Sequence, residues 1–242
     1  MMVTKEARLA PATTLLCEVE AATLLRDYGI AYPEHGLAAT AAEAVVVAGR
    51  LGYPVVMKLI SPDVVHKSDV GGVLVGLADG PMVERGFQKI LDAVSTHVPD
   101  ARVVGMLVCR QAPPGTEVIV GGFQEPVFGP AVCVGLGGVW AEVLHDVVFR
   151  VAPVDPIDAR EMLRELVAYP VLRGARGASP CDLEALEGLV AAVSRVIAER
   201  PDIMELDLNP VRLFETGALA LDARVLLSNS ARAHAFSTGG GT

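Results

Sequence analysis

The chain has 242 residues, of which 52% are hydrophobic and 20% charged, and its formal net charge is −9. This composition is too apolar for a disordered chain, and the negative charge argues against a nucleic-acid partner, which would need clustered lysine and arginine. No segment reaches the ~20 apolar residues of a membrane-spanning helix, and the amino terminus has no secretory pattern. We therefore expect an α/β protein with strands buried on both faces, no membrane contact and a cytoplasmic location.

The first predicted helix covers residues 41–51. Thr40 and Glu43 have capping-box spacing in front of an apolar run, and Gly52 stands where a helix often ends. The four cysteines of the chain are widely spaced and form no CxxC pair, which favours reduced thiols over disulfides or a zinc site.

A hairpin with an unusually polar connection follows this helix. The runs VVMKLI and GGVLVGL are rich in β-branched residues, and the segment between them contains His66 and Lys67. Lys58 interrupts the first run, and an unpaired ammonium group there would be costly to bury. It either binds an anion such as phosphate or lies on an edge strand and points into water. A single loop histidine is often only a surface residue, so His66 alone decides nothing.

The rest of the chain alternates between apolar strand patterns and helical patterns, separated by proline and glycine. The predicted elements are a helix from Asp79 to about Val94, strands at 102–109, 116–123, 131–138 and 147–154, a helix at 156–172, a helix at 180–199 with Ser179 as its cap, and strands at 202–214 and 218–227. On the helix at 180–199 we expect Glu187 on the polar side together with Glu184, Arg195 and Glu199.

One late strand has a polar face. Glu205, Asp207 and Asn209 alternate with leucines, so strand geometry directs their oxygen-bearing side chains to one side. A turn near residue 216 would bring Asn209 close to Asp222 on the next strand. Oxygen ligands of this kind suit Mg²⁺, although a solvated sheet face would show the same alternation.

Two further features allow a functional or a structural interpretation. Glu117 begins a strand after a Pro-Pro-Gly turn and either holds a hydroxylated ligand or faces solvent. The glycines at 135, 137 and 138 do not have G-x-G-x-x-G spacing, which excludes a Rossmann dinucleotide site, but their N–H groups could bind an anion or form a tight turn. The chain has no G-x-S-x-G motif, which argues against a hydrolase.

Taken together, these segments resemble the ATP-grasp β subunit, or fused β region, of the ADP-forming acyl-CoA synthetases, relatives of succinyl-CoA synthetase. The resemblance covers roughly residues 15–227. Its segments, in order, are LLRDYGI, LGYPVVMKLISPDVVHKSDVGGV, EVIVGGFQEPVFGP, GLGGVWAEVLHDVVFRVAP, LRGARG, ELDLNP and ALDARV. It implies an ATP-grasp fold of two subdomains with nucleotide bound between them. The implied organisation is an N-terminal extension at 1–14, subdomains at about 15–108 and 109–228, and a flexible tail at 229–242.

The same resemblance implies a role for each matching residue. Lys58 matches the lysine that contacts phosphate, and His66 matches the histidine that accepts a phosphoryl group on a mobile loop. ATP or ADP and Mg²⁺ are the implied cofactors. The other implied contacts are the adenine side for Val108, Cys109 and Arg110, the ribose side for Glu117, the phosphates for Gly137 and Gly138, and Mg²⁺ for Asn209 and Asp222.

The implied reaction joins an acid to coenzyme A with conversion of ATP to ADP and phosphate, through a phosphohistidine. The CoA-binding region and a second carrier histidine are missing from the segments above, so we expect a CoA-binding α-type partner subunit and a hetero-oligomer. Three alternatives stay open: an ATP-grasp carboxylate–amine ligase that does not need His66, a nucleotide sensor without transfer activity, and a structural subunit that binds no nucleotide.

Overall fold

The computed structural model describes residues 13–64, 66–138, 146–177 and 179–228. The predicted tail at 229–242 and most of the predicted extension at 1–14 lie outside these residues. The described chain forms two compact units. The small unit consists of residues 17–19 and 33–113, and the large unit consists of the described residues of 1–16, 20–32 and 114–242.

The small unit is a four-stranded antiparallel sheet with two helices packed on one face. Its strand order is β2-β5-β3-β4. The elements are β2 (His35–Ala38), α2 (Ala41–Leu51), β3 (Val55–Ile60), β4 (Val73–Leu77), α3 (Gly80–His97) and β5 (Gly105–Arg110). Buried side chains of the sheet, among them Met57 and Leu59, form one core with Ala44, Phe87 and Ile90 of the two helices.

Local signals position both helices of this unit as predicted. The Thr40 hydroxyl accepts a hydrogen bond from the Glu43 amide, the Glu43 carboxylate accepts one from the Ala39 amide, and the helix ends at Gly52. The Asp79 carboxylate accepts from the Met82 amide at the start of α3, which continues three residues beyond the predicted end. Caps of this kind each stabilise a helix by about 1 kcal/mol.

The large unit contains a seven-stranded antiparallel sheet with the order β1-β11-β9-β6-β7-β8 and with β10 paired to β9. Its strands are β1 (Thr13–Leu15), β6 (Thr116–Glu125), β7 (Gly129–Leu136), β8 (Val147–Val151), β9 (Ile203–Leu213), β10 (Ala218–Ala220) and β11 (Ala223–Ser228). Its helices are α4 (Pro156–Glu165), α5 (Tyr169–Leu172), α6 (Leu183–Glu199) and, from residue 20 onward, α1 (Glu18–Asp27). One face of the sheet packs on α4 and α6 in the larger hydrophobic core.

The single helix predicted at 156–172 is wrong, because two helices form there. The Asp146 carboxylate accepts hydrogen bonds from the amides of Val167 and Ala168, which removes those amides from any helix. Pro170 then lies in the first turn of α5, where its missing N–H costs nothing. A tertiary contact therefore breaks a pattern that looks continuous in the sequence.

Two details predicted for the helix at 180–199 are also wrong. Its cap is Asp182 rather than Ser179, and the Asp182 carboxylate accepts from the amides of Ala185 and Gly217. Glu187 is 5% exposed rather than on the polar side, and it accepts two hydrogen bonds from Arg160 of α4. The strand predicted at 218–227 is divided into β10 and β11.

None of the four cysteines, all of which lie within the described ranges, forms a disulfide. Within the same ranges, no helix is both long enough and apolar enough to cross a membrane.

Candidate active site

Lys58 lies in the interior of the small unit. Its strand β3 is paired on both sides, with β5 and with β4, and the residue is 8% exposed. Of the two alternatives for Lys58, an edge-strand lysine pointing into water is therefore excluded. Alternation along β3 directs Met57 and Leu59 to the helices and Lys58 to the opposite face, where Ile60 also contributes to a small apolar cluster.

Glu18, at the start of α1, is the partner that a buried lysine requires. One oxygen of its carboxylate lies 2.5 Å from the Lys58 Nζ, and the other lies 2.6 Å from the Lys67 Nζ. Burial alone would raise the pKa of Glu18, but the two ammonium groups outweigh burial and lower this pKa from 4.5 to about 2. Glu18 is thus a carboxylate that bridges two cations with 3% of its surface exposed.

The sequence alone does not single out Glu18 as a site residue. A glutamate in the first turn of a helix is ordinary, because it favours the positive end of the helix dipole. A buried Lys58 needs an acidic partner, and this is the one indication that the sequence offers. It does not tell which acidic residue is the partner, and Glu18 is 40 positions away.

His66 is exposed, and it directly precedes Lys67 in the connection between β3 and β4. The chain after it makes a tight return: the Gly72 amide donates to the Lys67 carbonyl over 2.7 Å, and the Leu59 amide donates to the Gly72 carbonyl over 2.7 Å. A Cβ atom on Gly72 would lie 2.8 Å from the Lys67 carbonyl oxygen. The return therefore requires glycine, and it fixes the backbone immediately after the exposed imidazole.

The segment from Val108 to Arg110 ends the central strand β5. The side chains of Val108 and Cys109 are buried on opposite faces of the sheet. The Arg110 guanidinium donates two hydrogen bonds to the Leu51 carbonyl, at 3.0 and 2.7 Å. If this segment contacts the adenine, as the family resemblance implies, the base would meet its backbone, because the three side chains already have other contacts.

In the large unit, Glu117 and the glycines at 137 and 138 lie next to each other. The Gly137 amide donates to the Glu117 carbonyl over 2.8 Å, and a Cβ on Gly137 would lie 3.0 Å from the Glu117 carbonyl carbon. Gly138 has a φ of +62°, a conformation that favours glycine. The Glu117 carboxylate accepts a hydrogen bond from Arg212 on the neighbouring strand β9.

Asn209 and Asp222 face each other across the strand pair, as the sequence predicts. The Asn209 amide donates to the Asp222 carbonyl over 3.3 Å, and Leu208 and Ala223 are paired one position further along. Asn209 is exposed and Asp222 is partly exposed, so both side chains can be reached by a ligand.

The polar face of β9 accumulates negative charge beside this pair. Burial, together with the carboxylates of Glu205 and Asp222, raises the pKa of Asp207 against the opposing charge of Arg224, and the net result is a rise from 3.8 to about 6. Arg224 also donates to Glu205 over 3.1 Å. Leu206 on the other side of the strand is fully buried, which confirms the predicted alternation there.

These surroundings fit a hard divalent cation. The available donors are amide and carboxylate oxygens, which Mg²⁺ prefers, and a cation would relieve the repulsion among the acidic groups. Among the described residues, no group of three histidine, cysteine, aspartate or glutamate side chains is arranged to hold a metal alone. Mg²⁺ at Asn209 and Asp222 would therefore need further oxygen ligands, such as those of phosphates.

The predicted site residues are accordingly gathered into two groups, one in each unit. The small unit contains Lys58, His66 and the segment 108–110, together with the unpredicted Glu18. The large unit contains Glu117, Gly137, Gly138, Asn209 and Asp222, together with the unpredicted partner Arg212.

One α/β unit contains a buried strand lysine, and the other contains an amide–carboxylate pair. These features are typical of proteins that bind the phosphates of a nucleotide together with a divalent cation. The sequence pattern of the ATP-grasp domain matches residues 7–227, and the chain belongs to this family. Over 212 residues it is 46% identical to the beta subunit of the ADP-forming acetate–CoA ligase I of Pyrococcus furiosus, with 88% of this chain and 91% of the relative covered.

Solved structures of an acetyl-coenzyme A synthetase 1 from Ca. Korarchaeum cryptofilum have the same fold. The complex with coenzyme A and Ca-AMPCP matches with a TM-score of 0.86 and 43% identity, over 88% of this chain and 93% of that chain. A second complex contains coenzyme A and Mg-AMPPCP, with a phosphohistidine segment pointing towards the nucleotide-binding site. It matches with a TM-score of 0.78 and 41% identity, over 88% and 93% of the two chains.

Proposed function

We propose that this chain is the nucleotide-binding, phosphoryl-transferring subunit of an ADP-forming acyl-CoA synthetase. The observation that carries this proposal is the exposed His66 on the connection that starts from the strand of Lys58. The similarity to an ADP-forming acetate–CoA ligase beta subunit, and to a structure with a phosphohistidine segment and a bound Mg-nucleotide analogue, supports it.

Each site residue has a defined task under this proposal. The Lys58 ammonium neutralises phosphate charge, and backbone groups from Val108 to Arg110 contact the adenine. Glu117 accepts hydrogen bonds from the ribose hydroxyls, and the N–H groups of Gly137 and Gly138 approach the phosphates. Asn209 and Asp222 hold Mg²⁺, which supplies charge neutralisation at the phosphates.

The step assigned to this chain is a reversible transfer between ATP and histidine. A neutral ring nitrogen of His66 attacks the γ-phosphorus, the bond between phosphorus and the bridging oxygen breaks, and ADP leaves. A phosphorus–nitrogen bond forms, and the positively charged ring then loses the proton of its other nitrogen to solvent, which leaves a phosphohistidine with a neutral ring and an anionic phosphoryl group. The protein contributes mainly positioning and charge neutralisation, as is usual in phosphoryl transfer.

The acyl half of the reaction is assigned to a partner. We propose a CoA-binding α-type subunit with a second phosphohistidine, in a hetero-oligomer with this chain; that the relative from Pyrococcus furiosus is a beta subunit supports the need for a partner. The cytoplasmic location stays a prediction from the sequence.

The test is incubation of the chain with Mg²⁺ and γ-³²P-labelled ATP, followed by acid and base treatment. We expect label that is acid-labile and base-stable on the wild type and on His97→Ala, which removes another exposed histidine, on α3. We expect the label to fall at least 100-fold on His66→Ala.

Two results would contradict the proposal. If wild type and His66→Ala take up equal label, the acceptor is a different residue. If neither is labelled, even with the partner subunit added, while both are stabilised by Mg-ATP in a thermal-shift assay, the chain is a nucleotide sensor or a ligase of another class.

A further inference from the structure

Two charged residues at the base of the connection between β3 and β4, Glu18 and Lys67, have no task in the proposed function, although both belong to one charge arrangement with Lys58. The Glu18 carboxylate holds Lys58 with one oxygen and Lys67 with the other, at 2.5 and 2.6 Å. Lys58 is fixed in β3, one of the two interior strands of the sheet, whereas Lys67 belongs to the connection and directly follows His66. The buried carboxylate therefore links a rigid element to the segment that carries the exposed imidazole.

Because the two ion pairs of Glu18 are largely buried, they favour one position of the connection between β3 and β4 over others. The side chains of Glu18, Lys58 and Lys67 are 1%, 10% and 18% exposed. Water screens a pair at this depth only weakly, and a carboxylate that lost one cation here would have few solvent dipoles to replace it. The tight return at Gly72 fixes the backbone of Lys67 as well, so its side chain and its backbone are both held.

We propose that Glu18 is a positioning residue for the phosphoryl-carrying segment, which it holds through Lys67 so that the neighbouring His66 starts from a fixed place. We call the ion pair between Glu18 and Lys67 the latch. The reason for positioning His66 rests on the proposed function, whereas the latch itself is a contact within the small unit. Glu18 acts on His66 through Lys67, so its role is that of a positioning residue rather than a catalytic residue.

The latch also has a built-in competitor. A phosphoryl group on His66 would bring about two negative charges next to Lys67 in the chain. The Glu18 carboxylate and the phosphoryl group would then compete for Lys67, whereas Glu18 would keep its ion pair with Lys58. Phosphorylation of His66 would consequently weaken the hold on the segment, and return of the phosphoryl group to ADP would restore it.

The first measurement is hydrogen exchange at the amides of Gly71 and Gly72, which are bonded within the return, without nucleotide. We expect at least tenfold faster exchange in Glu18→Gln and in Lys67→Gln, and no further increase in the double variant, because both remove the same contact. Glu84→Gln removes the same charge from an exposed position on α3 and should leave both amides unchanged.

The second measurement is the initial rate of His66 labelling at saturating Mg-ATP. Lys67→Gln, which keeps the pair between Glu18 and Lys58, should label at least tenfold more slowly, with a Kd for Mg-ATP within threefold of the wild type. If Lys67 had only a structural role, Lys67→Gln would lower thermal stability, and it would not slow the labelling rate while leaving the Kd for Mg-ATP unchanged. If Glu18→Gln does not fold, Lys67→Gln alone decides both measurements.

Unchanged exchange at Gly71 and Gly72 in Lys67→Gln would overturn the latch. Faster exchange with unchanged labelling would overturn the positioning role. If the wild type itself accepts no label, the proposed function fails, and the exchange measurement still decides whether Glu18 holds the segment.

Discussion

At the scale of single residues, the small unit contains two buried charged groups, Glu18 and Lys58, and the partly buried Lys67, each of which would be unfavourable without an opposite charge. Because the pKa of Glu18 is lowered from 4.5 to about 2, the folded chain binds fewer protons than the unfolded chain between these values. The two ion pairs therefore contribute fully above pH 4.5, and their contribution is lost as the pH falls towards 2.

This gives a prediction for stability against pH. Glu18→Gln should lower the free energy of unfolding by about 3 kcal/mol at pH 7, because it leaves two lysines without their carboxylate. The difference from the wild type should shrink steadily below pH 4.5, which urea midpoints measured by circular dichroism can follow. A difference that stays constant from pH 7 to pH 3 would contradict the lowered pKa, and Glu84→Gln should show little effect throughout.

A second residue-scale prediction concerns the metal. Asp222→Asn replaces a carboxylate by a neutral amide beside Asn209, so the Mg²⁺ concentration that gives half-maximal ADP binding should rise by about tenfold or more. Isothermal titration at several Mg²⁺ concentrations measures this. Asp202→Asn is the matched control, since the Asp202 carboxylate in the same unit is already held by Arg200. Equal Mg²⁺ dependence in the two variants would exclude Asp222 as a ligand.

At the scale of elements, the packing of α6 on the large sheet depends on a glycine. A Cβ atom on Gly122 of β6 would lie 2.5 Å from the Ile197 Cγ1 and 3.2 Å from the Val193 Cγ1. We expect Gly122→Ala to destabilise the chain by about 1–3 kcal/mol, because the helix must move or repack. Thermal unfolding of the purified variants measures the change.

The comparison variant is Gly188→Ala on the same helix α6. Nothing lies within 4 Å of a Cβ at Gly188, so the added methyl group should stabilise the helix by up to about 1 kcal/mol through propensity alone. If both alanine variants destabilised the chain equally, the close approach at Gly122 would not be the cause.

Elements specified by neighbouring residues could be predicted from the sequence. The helix at 41–51 was correct at both ends because its cap and its terminal glycine are local. The two helices at 156–172 could not be foreseen, because hydrogen bonds to the distant Asp146 decide them. The cap at Asp182 has a local signal, since its carboxylate accepts from the Ala185 amide, and the prediction of Ser179 overlooked it. The helix α1 and the short strand β2 gave no strong pattern, and β2 buries only Ala38.

The candidate site follows the same division. The approach of Asn209 to Asp222 was predictable, because one turn fixes the pairing of two successive strands. The ion pairs of Lys58 with Glu18 and of Glu117 with Arg212 join residues 40 and 95 positions apart, and no local pattern specifies such a partner. The roles carried over from the family resemblance stay predictions for the experiments above.

At the scale of the whole molecule, the two units differ in how continuous they are along the sequence. Apart from residues 17–19, the small unit is one continuous stretch, and all four strands of its sheet lie between His35 and Arg110. The sheet of the large unit uses both ends of the described chain: Thr13 of β1 pairs with Ser228 of β11, and β9 supplies the strand between β6 and β11.

This difference in connectivity sets an order of events on the ribosome. The nascent small unit can close its sheet as soon as β5 has emerged. Glu18 precedes Lys58 in the chain, so both partners of this ion pair are present by then. β6 must wait for β9, which at ordinary rates of synthesis takes on the order of ten seconds longer. During that interval β6 has one unpaired edge, the state in which a strand is most prone to pair with another chain. The last third of the sequence, which contains β9, therefore determines how long the growing chain exposes an unpaired strand edge at β6.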